Sequence, residues 1–122
     1  MNRYWTKLFS NNHFIVIKGY LSLSTMEPAL RGILEKVIDD ELSEDKLVSN
    51  YRIFTQFKNR GLIDSVPSAM FGRIYTRAYN AWLEYKAGDD KPVNRHEATE
   101  FSRIFESRSM EIRSKLTEVT SY

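Results

Sequence analysis

The residues with the most chemical promise at close spacing are His96, Glu97 and Glu100 in the run HEATE. On a helix His96 and Glu100 stand one turn apart, the spacing at which the zinc-protease pattern His-Glu-x-x-His presents two imidazoles to a metal. Here a glutamate replaces the second histidine, and the only other histidine in the chain is His13. A zinc ion needs three or four converging ligands, so the pattern predicts acids near a helix N-terminus, favoured by its dipole. No metal or other cofactor is expected. The sequence contains no glycine-rich phosphate loop, no Gly-x-Ser-x-Gly elbow and no cysteine. Without a spaced catalytic set, the expectation is a protein that is not an enzyme.

A second set of residues points to binding. From Lys46 to Lys86 the chain has seven basic residues against two acidic ones, a net charge of +5, while the remainder has eleven against fourteen. Eight aromatic residues share that stretch. A nucleic-acid binder neutralises phosphates with Lys and Arg and reads base edges with Arg, Asn or Gln, often from a helix in the major groove. Arg52, Gln56, Lys58, Arg60, Arg73, Arg77 and Asn80 meet that description. Arg73 and Arg77 are expected on phosphate or guanine, Gln56 and Asn80 on base edges, Lys58 and Arg60 on phosphates. The function so read is non-enzymatic DNA binding of a regulatory kind. The alternative is a small helical protein-binding module, an adaptor, inhibitor or antitoxin-like protein, with Tyr79 and Leu83 beside Arg77 as its anchor patch. Arginines opposite an aromatic stripe also serve an amphipathic helix for solubility alone.

The elements that must position these residues read as a mainly α fold of four principal helices with a short N-terminal strand. Tyr4, Trp5, Leu8 and Phe9 suit a short docking helix rather than a membrane anchor. HFIVIKGYLSLS is rich in β-branched and aromatic residues and reads as one strand. A single strand needs a ladder partner in the same chain or in a second copy, which is the ground for expecting a homodimer. Ser24 with Glu27 forms a capping-box pattern ahead of Pro28. Met26, Ala29, Leu30, Ile33, Leu34, Val37 and Ile38 then keep helical rhythm, ending in an acidic run, Asp39 to Glu41, expected to be solvated.

Ser43 caps a second helix that runs to Arg60 and leaves through Gly61. A third helix is expected from Pro67 to Ala87 with Ser65 as cap, although Gly72 weakens it and a strand through GRIYTRAY is an open alternative. Its core stripe is read as Met70, Phe71, Ile74, Tyr75, Ala78, Ala81, Trp82 and Tyr85, and Phe54 of the second helix is also placed in the core. GDDKPVN is a connector. A last helix follows from 95 to 119, capped by Asn94 and braced by an i, i+4 pair of Glu111 and Lys115.

The run FKNRGLID resembles the end of the recognition helix and the start of the wing in winged-helix proteins. That resemblance implies a DNA-contacting helix closing near Gly61, with FIVIKGYL pairing with wing strands. The junction GLIDSVPS also admits a loose helix-turn-helix reading.

At 122 residues the chain suits one domain, comprising an arm and strand over 1–23, a helical core over 24–88, a connector over 89–94 and the C-terminal helix. The absence of cysteine fits a reducing compartment, so a cytoplasmic location is expected. No apolar run has signal-peptide or membrane-spanning length, so no membrane partner is expected.

Overall fold

The computed structural model describes residues 14–17, 20–23 and 26–121, and it is mainly helical. The expected terminal docking helix and the Ser24 cap lie outside the described residues. Two four-residue strands, β1 (Phe14–Ile17) and β2 (Tyr20–Leu23), run antiparallel with Phe14 opposite Leu23 and Ile17 opposite Tyr20. Each is the other's ladder partner, so they supply no argument for a second copy.

Five helices follow among the described residues: α1 (Pro28–Glu41), α2 (Glu44–Asn59), α3 (Val66–Gly88), α4 (Arg95–Ser107) and α5 (Ser109–Thr120). Their limits are set by local chemistry. Ser43 accepts a hydrogen bond from the Lys46 amide, Ser65 from the Ser68 amide, and Asn94 Oδ1 from the Glu97 amide at 2.8 Å. Each satisfies an amide that has no partner inside its helix. Gly61 ends α2 in the left-handed region with φ of 77°, which glycine adopts without the Cβ penalty. Pro28 opens α1 at a position where its missing N–H is harmless, and Glu27 occupies the N-cap without a side-chain cap bond. Gly72 does not break α3, and the strand alternative through GRIYTRAY is excluded.

The single long C-terminal helix expected from sequence is two helices with a corner at Arg108. No Gly or Pro marks the break, because its cause is tertiary. Arg108 reaches back to α1, where it binds the Glu35 carboxylate and carbonyl and the Asp39 carboxylate, while also holding Glu111. Burial disfavours this guanidinium's charge, but hydrogen bonds to Glu111, Asp39 and Glu35 outweigh it and raise its pKa. Glu111 is thereby paired with Arg108 instead of the expected Lys115.

α1 packs on α3, α2 lies against α3, and α5 closes on α2 and α3. The core joins Leu30, Leu34 and Ile38 of α1, Met70, Ile74, Ala78 and Trp82 of α3, Phe101 and Ile104 of α4, and Ile112 and Leu116 of α5. One buried cluster therefore spans Met26 to Val119.

Polar groups clip the far ends of these helices together. The Tyr85 hydroxyl of α3 donates to Glu27 at the start of α1, with Lys91 completing the group. That hydrogen bond lowers the Glu27 pKa, an effect reinforced by Lys91 and opposed by burial. The same bond pushes Tyr85 up to about 12 from an ordinary 10.0. A raised tyrosine pKa means that this clip is intact below pH 10.0 and is lost as pH climbs toward about 12. Glu27 sets the acid limit, since its contribution is present above 4.5 and lost as pH falls below that value. Spectrophotometric titration should show a phenol that ionises at about pH 12. Tyr85→Phe should remove that late step, and an unchanged titration would contradict the clip.

Candidate functional site

The sequence-predicted binding residues fall into two groups with different fates. Glu41 is the last residue of α1, where the negative end of the helix dipole opposes a carboxylate. It is nevertheless buried, with a side chain 3% exposed, so it needs cations. Arg73 and Arg77, one turn apart on α3, provide them. Arg73 Nε donates to Glu41 Oε1 at 3.1 Å and Arg77 Nε lies 3.9 Å from Oε2. The acidic run that looked like a solvated helix end is therefore engaged: Asp39 with Arg108, Asp40 with Lys36, Glu41 with two arginines.

The second group is free of such bonds. Arg52, Gln56 and Arg60 follow one another at i, i+4 along the outer row of α2 and its C-cap, with Lys58 near the same end. All four are exposed, and among the described residues Arg52, Lys58 and Arg60 make no ion pair. Asn80 is exposed one turn beyond Arg77. The structure thus unites Arg73 with Arg77 on one carboxylate and places Arg52, Gln56 and Arg60 in a separate row.

Lys86, counted from sequence within the basic stretch, is not on the surface. Its ammonium is 2.8 Å from Glu97 Oε2, and both side chains are buried. Trp82 Nε1 donates to the other oxygen of Glu97 at 3.4 Å. Glu97 therefore receives a cap through its amide from Asn94 while its carboxylate turns inward, so only half of the expected capping box forms. Glu100 is buried as well and binds Arg31 at 3.4 Å and Arg103 at 3.1 Å. The acids of HEATE are thus committed to cations, and no group of three or more potential metal ligands occurs among the described residues.

The most unusual surface is hydrophobic. Phe71, Tyr75, Tyr79 and Leu83 recur every four residues along α3 and are 40%, 41%, 38% and 38% exposed. The inner edges of the three aromatic members rest on buried rings. Tyr75 meets Phe101 edge-on at 5.4 Å and Phe105 at 5.3 Å, Phe71 meets Phe105 at 5.9 Å, and Tyr79 lies over Trp82 at 5.7 Å. Trp82 in turn stacks on Phe101 at 5.1 Å. Ring pairs at such separations, offset or edge-to-face, add stability beyond buried area. The ridge is therefore held rigidly from below while its outer faces meet water.

At the Phe71 end the ridge opens into a groove of about 430 Å³ between α3 and α5, lined by Pro67, Phe71, Ile112 and Leu116 among others. A smaller groove of about 220 Å³ lies where Leu42 and Leu47 approach α5. No described helix is long and apolar enough to cross a membrane.

Three sequence expectations are corrected here. Tyr75 and Phe71, assigned to the core stripe, stand half outside it, because that stripe was drawn too wide for one buried face. Phe54 is only partly buried, while Trp82 is in the core as expected. The signal for the ridge was present: Tyr79 and Leu83, already suspect as an anchor patch, extend backward at steps of four to Tyr75 and Phe71.

These features define a small helical bundle bearing an exposed aromatic ridge. Comparison with protein-family models, with curated proteins and with solved structures returns no match.

Proposed function

We propose that this chain is a non-enzymatic protein-interaction module whose contact surface is the aromatic ridge of α3. The observation that carries this reading is the row Phe71, Tyr75, Tyr79 and Leu83, more than a third exposed at each position and uninterrupted by charge along its length. Tyr and Phe are enriched at the centres of protein interfaces because each brings a large area at little cost in side-chain freedom. Arg73 and Arg77 of the same helix support the same reading, since both are paired with Glu41. The paired state of Lys86, Glu97 and Glu100 supports a structural use of the buried ionisable groups.

Immobilised wild-type chain and a Tyr75→Glu/Tyr79→Glu variant, compared against a cell lysate, test the module. Proteins retained by the wild type and lost by the variant are expected, with Arg52→Glu/Lys58→Glu as an unaffected control. Equal retention by all three would overturn the assignment.

DNA binding is the second reading, favoured by the unpaired exposed donors Arg52, Gln56, Lys58 and Arg60. In a helix-turn-helix or winged-helix arrangement α2 and the turn at Gly61 would lie against the duplex, with Asn80, Arg73 and Arg77 at its margin and a regulatory role. Fluorescence anisotropy with mixed-sequence duplex at two salt concentrations tests it. Salt-sensitive binding reduced in Arg52→Ala/Lys58→Ala/Arg60→Ala is its expected result, and no binding at low salt excludes it. A cytoplasmic location and a single-domain organisation belong to both readings and rest on the cysteine-free composition and the single core cluster.

A further inference from the structure

The groove between α3 and α5, of about 430 Å³, has the size of a small-molecule site. Its apolar side is formed by Pro67 and Phe71 of α3 with Ile112 and Leu116 of α5, the last two only 1% and 5% exposed. Ser109, Arg113 and Thr117 stand along its α5 side at steps of four. That stretch of helix advances about 12 Å, the span of roughly ten extended chain bonds. Arg113 is exposed and, among the described residues, has neither an ion pair nor a side-chain hydrogen bond. Its neighbours one turn away are Ser109, Met110, Leu116 and Thr117, so α5 offers it no carboxylate. The acids of the surrounding elements do not reach it either. α3 has no acid before Glu84, Glu111 is held by Arg108, and Glu118 lines the smaller groove. Asp64 in the turn before α3 and Glu106 of α4 are not among the residues lining this one. Arg113 is therefore the one charged side chain of an otherwise neutral, largely apolar groove.

We propose that this groove binds an unbranched aliphatic carboxylate of medium chain length. The chain lies over Ile112 and Leu116 against Pro67 and Phe71, and the carboxylate accepts hydrogen bonds from the Arg113 guanidinium. Each part of the groove selects one part of such a ligand. The apolar side takes methylene groups out of water, which is favourable in proportion to the area covered. A planar guanidinium matches the two oxygens of a carboxylate, and its single positive charge balances a single negative one. Ser68 and Thr117 bring hydroxyls that have no acceptor among the described residues, and both can donate to an anion. A cationic amphiphile would instead meet Arg113 with like charge and find no carboxylate in the lining. The site is built from the first turns of α3 and from α5, and so goes beyond the ridge of Tyr75, Tyr79 and Leu83.

Chemical-shift titration of the full chain with decanoate, kept below the concentration at which it forms micelles, tests the proposal. Saturable shifts are expected at Phe71, Ile112, Arg113 and Leu116. Decyltrimethylammonium, with the same chain and the opposite charge, should bind about tenfold more weakly. Butyrate, with the same carboxylate and a shorter chain, should also bind more weakly, by about tenfold or more. Arg113→Gln, at an exposed position, should abolish the preference for decanoate without changing the thermal melt, and Arg113→Lys should keep part of it. Arg52→Gln, which lowers the net charge equally from α2, should leave that preference intact. No saturable shift in the groove, equal binding of the anionic and cationic chains, or a preference that survives Arg113→Gln overturns the proposal. The interaction module fails separately: decanoate binding is expected to persist in Tyr75→Glu/Tyr79→Glu, whose retention or loss of partners bears on the ridge alone.

Discussion

Lys86→Met is expected to destabilise the fold by about 3 to 5 kcal/mol, the cost of leaving a buried charge without its partner. Lys86 and Glu97 are 5% and 2% exposed, and their side chains meet at 2.8 Å. Removing the ammonium leaves Glu97 with only the long hydrogen bond from Trp82 as compensation. Glu97→Leu alone should cost a similar amount because it strands Lys86 beneath α4. The double variant Lys86→Met/Glu97→Leu should recover most of the loss, since a buried ion pair often gives way to apolar side chains of like volume at little net cost. Urea denaturation of the four proteins completes the thermodynamic cycle. Additive losses in the double variant would show that the two charges do not depend on each other.

Arg73→Ala/Arg77→Ala is the second large effect, and it bears on function. The sequence makes this pair the natural deletion for testing DNA binding. In the structure it strands Glu41, whose side chain is 3% exposed. A loss of about 2 to 4 kcal/mol is expected, toward the lower part of the range for broken buried pairs because both arginines reach solvent. Reduced DNA binding by this variant would thus report unfolding as readily as a lost contact. Adding Glu41→Gln should restore much of the stability, because a neutral amide has no need of two cations. A double variant as stable as the wild type would refute the structural role of Arg73 and Arg77 and return them to the binding surface.

These two sites also show where sequence reasoning reached its limit. Ser43, Ser65 and Asn94 were legible as caps because a cap acts over three residues, and Gly61 was legible because a left-handed helix exit is a local demand. The stripes of Leu30, Leu34, Ile38 and of Met70, Ile74, Ala78 were legible for the same reason: their periodicity lies within one element. Glu41, by contrast, is buried by arginines 32 and 36 positions away, and nothing in the run Asp39 to Glu41 announces it. The corner at Arg108 depends on Glu35 and Asp39 of α1, so the run ESRSM reads as continuous helix. Lys86 looked like one more surface cation because its partner belongs to the next helix.

The candidate surface was half legible. Tyr79 and Leu83 belong to the anchor patch of the sequence-based alternative, whereas Phe71 and Tyr75 fall in a predicted core stripe that α3 has no room to bury. An aromatic side chain contributes to hydrophobic periodicity whether it is buried fully or along one edge. Phe71 and Tyr75 rest an edge on Phe101 and Phe105 and expose the remainder, a division that depends on where α4 crosses. The basic residues were legible as residues but not as a surface, since charge in the sequence becomes available charge only after the internal acids have taken their share.

The central claim is that the working surface of this protein is the ridge of α3 and not the basic row of α2. An amide chemical-shift map of nitrogen-labelled protein, recorded as a protein retained by the immobilised wild type is added, tests it most directly. Shifts concentrated between Ser68 and Leu83, with Arg52 to Arg60 unmoved, are predicted. Spectra that do not change as that protein is added, or changes centred on Arg52 to Arg60, would contradict it.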